Sequence, residues 1–455
     1  MNTILSVVNT VFWGLLTLSV LVFVHEGGHF LAARACGVRV TEFFLGLPCR
    51  FRLFRTSKCI GTRFGITPLL LGGYAAICGM DPTQVECAPR VLLLVHKKGH
   101  TTVDEMAQEL ELDPETVLDA CVVLSDWGSI APFYDKAKGE VPSAGYYPST
   151  YESMPRDAKG NTVYDGRQFD RSTATCQGEA WTPCMSEEEF FDAERSRTYI
   201  GKGFLKRAIM LLAGILVNIL SGFMLLVAVY SLIGVTVSVN SNVLGTVEEG
   251  SIAAQAGLSA GDTILSIGDT DCSDWNDITA AIDSVKGEGS VDLCYNHDGE
   301  KHNAAISLSD DDRLGITCRT ETVHYGPLES LQMSWSYVKA TASGVAELLI
   351  PQHTMEVLDS STSVVGISIM SSQAAAAGPA TYLWFAALIS FSLGFMNLIP
   401  IPPLDGGKLL IEVIQLALGR NLSLKVQNIV SYIGVGLFML LFVYMLRSDI
   451  LRFFL

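Results

Sequence analysis

His25 and His29 stand four residues apart around Glu26, in His25-Glu26-Gly27-Gly28-His29. On a helix, positions i and i+4 share one face. Two imidazoles so placed can grip one zinc ion, and the carboxylate between them can reach a water beside it. In a soluble helix this pattern arises by chance. Here it closes a stretch, residues 1–24, without a charged side chain. An ionisable group at membrane depth costs roughly 2.5–3.5 kcal/mol, so packing is a poor explanation for three in five residues. Gly27 and Gly28 each weaken a helix by about 1 kcal/mol relative to Ala; their missing side chains leave room for a neighbouring helix or a substrate backbone. Zinc needs a third protein ligand. The candidate is Asp405, at the end of another apolar stretch, within Asn397-Leu398-Ile399-Pro400-Ile401-Pro402-Pro403-Leu404-Asp405-Gly406-Gly407.

The elements that must bring these groups together are apolar. Of 455 residues, 49% are hydrophobic and 17% charged, and the mean hydropathy is +0.35. Residues 208–247, 360–404 and 426–446 also lack charge. A spanning helix needs about 20 such residues. The expectation is a polytopic α-helical membrane protein with four transmembrane helices, near 4–34, 206–236, 379–402 and 426–446. This excludes a soluble enzyme and a disordered chain. Arginines and lysines cluster after the first segment and before the second, which predicts a cytosolic 35–205 loop and an outer 240–370 loop. The first and third segments then run in the same direction, placing His25, His29 and Asp405 at similar depth near the cytosolic side.

The net charge of −16 argues against nucleic acid as a partner. Eleven irregularly spaced cysteines, Cys176 and Cys184 included, read as free thiols rather than a disulfide framework. In the inner loop, Arg90–Lys98 reads as a helix, Thr102 and Glu105 as a capping box, and Asp113-Pro114 as a helix start. Together they resemble a short winged helix. Residues 137–185 read as mobile loop. In the outer loop, Thr263–Ile267 and Val291–Tyr295 read as strands, and Asp274 caps a helix ending near Val285.

The chain resembles the site-2 protease family of intramembrane zinc proteases, in its bacterial regulator-of-sigma group. His25–Arg34, HEGGHFLAAR, matches the family's first-helix motif. Gly72-Gly73-Tyr74 matches its membrane-associated β-loop, Ala213-Gly214-x-x-x-Asn218 its second-helix pattern, and Asn397 to Gly406 its third-helix motif. Val247 to Asp262 resembles its PDZ signature. Gly46-Leu47-Pro48 is shorter than the family's usual Gly-x-Gly-Pro, and Ala75-Ala76 replaces its hydrophobic-basic pair.

The resemblance implies that His25, His29 and Asp405 bind Zn²⁺ and that Glu26 is the general base. It implies that Asn397, Asn218 and the Gly72–Tyr74 loop meet the substrate or the oxyanion. The expected divisions are a first transmembrane helix (1–36), a cytosolic-side β-loop region (37–83) and a cytosolic insert (84–190). A second transmembrane helix (191–236), a PDZ-like domain (237–325) and an extracytoplasmic linker with an amphipathic segment (326–378) follow. The third helix (379–410) and the fourth with the C-terminus (411–455) complete the chain. The implied activity is cleavage within or beside a membrane span of a single-span protein, such as an anti-sigma factor or a remnant signal peptide, in a bacterial cell membrane. The PDZ-like unit would bind a peptide C-terminus or exclude bulky substrates. A non-proteolytic PDZ-bearing scaffold and a metal transporter are the alternatives.

Overall fold

The computed structural model describes residues 2–453, apart from 50, 71, 137–138, 143–145, 288, 310–311 and 421. Two compact units emerge, Met1–Leu226 with Met333–Leu455, and Val227–Gln332. Among the described residues, four helical stretches are long and apolar enough to cross a membrane: Ile4–Ala35, Phe204–Ile233, Pro379–Leu398 and Leu424–Phe453. Ile4, Val8, Phe12, Leu216, Leu220 and Leu440 are all more than half exposed. Water would penalise that surface by about 25 cal/mol per Å²; hydrocarbon does not. The chain is a polytopic helical membrane protein.

The larger unit opens with α1 (Asn2–Ala35), which leads into β1 (Val40–Leu45), β2 (Leu53–Thr56), β3 (Arg63–Ile66) and β4 (Gly73–Ile77). Their sheet order is β2-β3-β1-β4, with β4 antiparallel to β1 at one edge. Tyr74 stacks on Phe44 at 5.4 Å and donates a hydrogen bond to Glu42 at 2.7 Å. That anchors β4 to β1 through side chains as well as backbone.

Next come α2 (Ala88–Lys98), β5 (His100–Thr102), α3 (Val103–Leu110), α4 (Pro114–Asp126), β6 (Ile130–Phe133), β7 (Thr150–Ser153) and α5 (Glu187–Arg195). Val91, Leu92, Met106, Val117 and Leu124 are fully buried in one core. The Thr102–Glu105 capping box forms, and Asp113 caps α4 with Pro114 in its first turn. The expectation of loop across 137–185 needs correction. This stretch supplies β7, the central strand of the β5-β7-β6 sheet, and a 3₁₀ segment at Val163–Gln168.

Its polar residues are buried because they are paired. Arg156 donates two hydrogen bonds to Glu194, at 2.7 and 2.8 Å, and one to His96. Arg39, at the foot of β1, donates to Glu194 and to Asp165. Burial alone would raise the Glu194 carboxyl, but the Arg156 and Arg39 guanidiniums outweigh it and hold it well below the carboxylate range. Burial and then Arg156 push His96 down to about 3. The neutral ring can therefore accept the Arg156 Nε–H.

α6 (Phe204–Ala228) follows. The second unit holds β8 (Val235–Ser238), β9 (Leu244–Val247), α7 (Ile252–Gln255), β10 (Thr263–Ile267), β11 (Thr270–Asp271) and α8 (Trp275–Val285). It continues through β12 (Ser290–His297), β13 (Glu300–Ser307), β14 (Ile316–Cys318) and β15 (Thr320–Val323). Strands pair as β11-β10-β12-β13, β14-β9 and β15-β8. Ile264, Ile267, Ile278 and Leu293 form its fully buried centre, and Asp274 caps α8 as expected.

The chain ends with α9 (Pro327–Glu347), α10 (Thr354–Ser360), α11 (Val364–Ala376), α12 (Pro379–Leu398), α13 (Asp405–Leu418) and α14 (Leu424–Phe453). Residues 326–378, expected as a linker with an amphipathic segment, carry three helices, α9 to α11. α11 packs on α1, where Asn9 donates to Ser372 at 2.9 Å and Gly14 gives space to Ser368. Its N-terminus is capped from α14. Asp449 accepts from the backbone N–H groups of Ser363 and Gly366 and from the Ser363 and Thr362 hydroxyls. All eleven cysteines are free.

Candidate active site

Three helices deliver the polar centre. α1 supplies His25 and His29 on one face, as the i, i+4 spacing requires. α13 begins at Asp405, directly after the chain turns back from α12. The turn is tight: a Cβ on Gly406 would lie 2.2 Å from the Leu398 carbonyl oxygen, and one on Gly407 2.3 Å from Pro402 N. α6 packs against α1 where Gly28 meets Ala213 and Gly214.

His25 Nε2 and His29 Nε2 each lie 3.0 Å from Asp405 Oδ2, and 3.1 Å from each other. Both imidazoles are buried, and the Asp405 side chain is 12% exposed. Among the described residues this is the only cluster of three or more histidine, cysteine or acidic side chains able to hold a metal.

The donor set fits zinc. His29 Nδ1–H donates to the Met210 carbonyl at 2.7 Å, so in a neutral ring its Nε2 carries a bare lone pair. That lone pair faces a carboxylate oxygen and a second imidazole nitrogen. Bare lone pairs this close repel, and a cation among them removes the repulsion. Two nitrogens and one oxygen are a catalytic zinc set, whose tetrahedral arrangement keeps ligand atoms roughly 3.3 Å apart.

Glu26 is half-buried and lines a cavity of about 90 Å³ together with His29, Ala75, Tyr199, Asp405 and Lys408. Gly73 brings β4 to it. A Cβ there would stand 3.7 Å from Glu26 Cγ and 2.9 Å from the Phe44 carbonyl oxygen. Lys408 Nζ lies 3.7 Å from Asp405 Oδ1.

The two glycines of the motif have different surroundings. A Cβ on Gly28 would strike the Ala213 carbonyl oxygen at 2.6 Å, so this glycine admits α6. Gly27 faces open space, with nothing within 4 Å of such an atom.

The other expected residues divide as well. Asn218 is fully buried, with its amide nitrogen 3.3 Å from His25 Nδ1. Asn397 is half-buried near the end of α12. Gly72 sits beside Leu47 just before β4. The Tyr74 hydroxyl is turned to Glu42 within the sheet, so that side chain braces β4. Two contributions are not apparent from residue types alone: the Met210 carbonyl behind His29, and Gly214. A Cβ on Gly214 would overlap both imidazoles. Its spacing of four from Asn218, on one face of α6, is the available signal.

The comparisons with known proteins converge on the same chemistry. The family described as peptidase family M50 matches residues 13–441. The chain belongs to peptidase family M50. It is similar to the regulator of sigma-W protease RasP of Bacillus subtilis, at 28% identity over 98% of this chain and 100% of that protein. The zinc metalloprotease RasP of Shouchella clausii is also 28% identical, over 98% of this chain and its own full length. The probable protease eep of Enterococcus faecalis is 26% identical over 98% of this chain and 99% of its own. The family and the four apolar helices make this chain a zinc-dependent intramembrane protease of the site-2 type.

Proposed function

We propose that His25, His29 and Asp405 hold the zinc and that Glu26 is the general acid–base in hydrolysis of a peptide bond in a substrate's membrane span. The observation that carries this is the convergence of two imidazole nitrogens and one carboxylate oxygen at 3.0–3.1 Å beside the Glu26 cavity.

When bound, zinc supplies Lewis-acid activation of water and of the scissile carbonyl. Glu26 takes the proton of the attacking water as its oxygen bonds to the carbonyl carbon. Glu26 then hands that proton to the nitrogen as the C–N bond breaks, leaving a carboxylic acid and an amine, which become carboxylate and ammonium when the acid's proton passes to the amine.

A helical substrate hides its carbonyls in i→i−4 hydrogen bonds and must unwind first. β4 offers a partner for the unwound segment. It is an edge strand, and Gly72 and Gly73 let a second backbone come close to Glu26. Asn397, at the end of α12, is the candidate donor to substrate backbone.

The substrate class is a single-span membrane protein, either a regulator such as an anti-sigma factor or a remnant signal peptide. The printed name of the Bacillus subtilis relative, a regulator of sigma-W protease, supports the former. The charge pattern supports a bacterial cell membrane with the zinc site near the cytosolic face and 237–325 outside. We read 237–325 as PDZ-like, a reader of peptide C-termini or an excluder of bulk. The insert 84–190 is read as a winged helix, in keeping with its helix-strand-helix-helix order and three-stranded sheet. Its acidity favours protein over nucleic acid.

The test is cleavage of single-span substrates by the purified chain in liposomes. The wild type cuts within the span. Glu26→Gln keeps zinc and loses about 10²–10⁴-fold in rate. A fully active Glu26→Gln variant would remove the base assignment.

A further inference from the structure

Both imidazoles lean on α6 through their second nitrogen, but only one of the two contacts is unambiguous. His29 Nδ1–H donates to a backbone carbonyl, Met210, which can only accept. That contact fixes the His29 tautomer and turns its Nε2 lone pair toward the metal position. His25 Nδ1 instead faces the Asn218 side-chain amide, with Nδ2 at 3.3 Å.

With its N–H toward His25, this amide would conflict with the rest of the site. An Asn218 N–H directed at His25 Nδ1 needs a lone pair there. A neutral ring then carries its proton on Nε2, the atom that must be bare to bind zinc. The same orientation leaves Asn218 Oδ1 buried without a hydrogen-bond partner, at a cost of about 1–3 kcal/mol. Amide oxygen and nitrogen differ by a half-turn and are assigned from their partners. The half-turn resolves both conflicts. Oδ1 then accepts the His25 Nδ1–H, and His25 Nε2 presents its lone pair beside that of His29.

We infer that Asn218 is a positioning residue: its carbonyl oxygen fixes the His25 tautomer, as the Met210 carbonyl does for His29, so that one helix orients both imidazoles for zinc. This rests on the assignment of His25, His29 and Asp405 as the ligands. The surroundings support a held amide. Asn218 is fully buried, and its own backbone carbonyl accepts from Ser390 and Ser221, which pins that turn of α6 against α12. Gly214, one turn earlier, leaves the volume the rings occupy. A ligand's hydrogen-bonded partner of this kind typically accounts for 10–100-fold in metal affinity.

The test uses the full chain in detergent, with zinc affinity measured by competition against a chromophoric chelator. Co²⁺ substitution gives a spectroscopic check on the ligand geometry. Asn218→Asp keeps an acceptor for the His25 N–H, and its zinc affinity is expected within about threefold of wild type, with the Co²⁺ visible bands retained. Asn218→Leu keeps the volume but not the acceptor, and is expected to bind zinc about 10–100-fold more weakly. Wild-type zinc affinity in a folded Asn218→Leu overturns the inference. So does an Asn218→Asp chain that binds zinc tenfold or more weakly, because a carboxylate repels a lone pair on Nδ1. If Asn218→Leu fails to fold, the Asp variant decides alone. A wild-type chain that binds no zinc contradicts the ligand assignment instead, whatever position 218 does.

Discussion

A methyl group on Gly214 would stand 2.4 Å from His29 Nε2 and 2.9 Å from His25 Cε1. The position on α6 is empty because the two rings use it. Gly214→Ala is therefore expected to displace the rings and lower zinc affinity by tenfold or more. Gly27→Ala, which meets nothing, is expected to retain zinc. Chelator competition on both variants checks the contrast; equal affinities would show that the rings tolerate the methyl.

Gly73 brings β4 alongside the proposed base. Gly73→Ala adds an atom 2.9 Å from the Phe44 carbonyl oxygen and 3.7 Å from Glu26 Cγ. The expected result is normal zinc content with kcat/KM lower by about tenfold, which corresponds to ~1.4 kcal/mol. An unchanged kcat/KM on a single-span substrate would separate β4 from substrate handling.

The insert is tied to the membrane-proximal sheet through a buried guanidinium. Arg39 is 1% exposed and is shared between Asp165 and Glu194. Deleting 84–190 removes Asp165 and Arg156, so Arg39 and Glu194 each lose one buried partner and keep each other. Breaking such a pair costs roughly 3–5 kcal/mol. Deletion is expected to prevent folding rather than yield a trimmed active enzyme, and Asp165→Ala to lower the melting temperature. A stable, active deletion would show that the network is dispensable.

His96 links this network to pH. Its folded pKa of about 3 lies below the ordinary histidine value, so the unfolded chain binds the extra proton first. Its neutral burial is without penalty above about pH 6.5 and costs stability as pH falls from there toward 3. The slope is about 1.4 kcal/mol per pH unit. His96→Gln, which keeps an acceptor for Arg156, is expected to flatten the decline by one proton. Thermal unfolding of both chains between pH 4 and 7 measures it, and parallel curves would contradict the role.

Much of this was legible in residue order because the controlling interactions are local. The His25–His29 spacing is one helical turn, the Thr102–Glu105 box spans three residues, and the spanning helices announce themselves by length without charge. Asp405 needed one further step, the common direction of two spans. What stayed hidden depends on contacts between distant segments. Arg156 and Asp165 sit in a stretch whose composition says loop, and only their pairing with Glu194 and Arg39 makes them core. α11 is too short to span, and its cap comes from Asp449 on another helix. Gly214 has no visible task until α1 lies against α6.

Zinc stoichiometry tests the central claim most directly. The purified wild-type chain is expected to carry about one zinc, and His25→Ala, His29→Ala and Asp405→Ala are each expected to lose it while remaining folded. Asp405→Ala retaining a full, tightly held zinc would contradict the account, because the carboxylate from the far end of the chain would then not belong to the site.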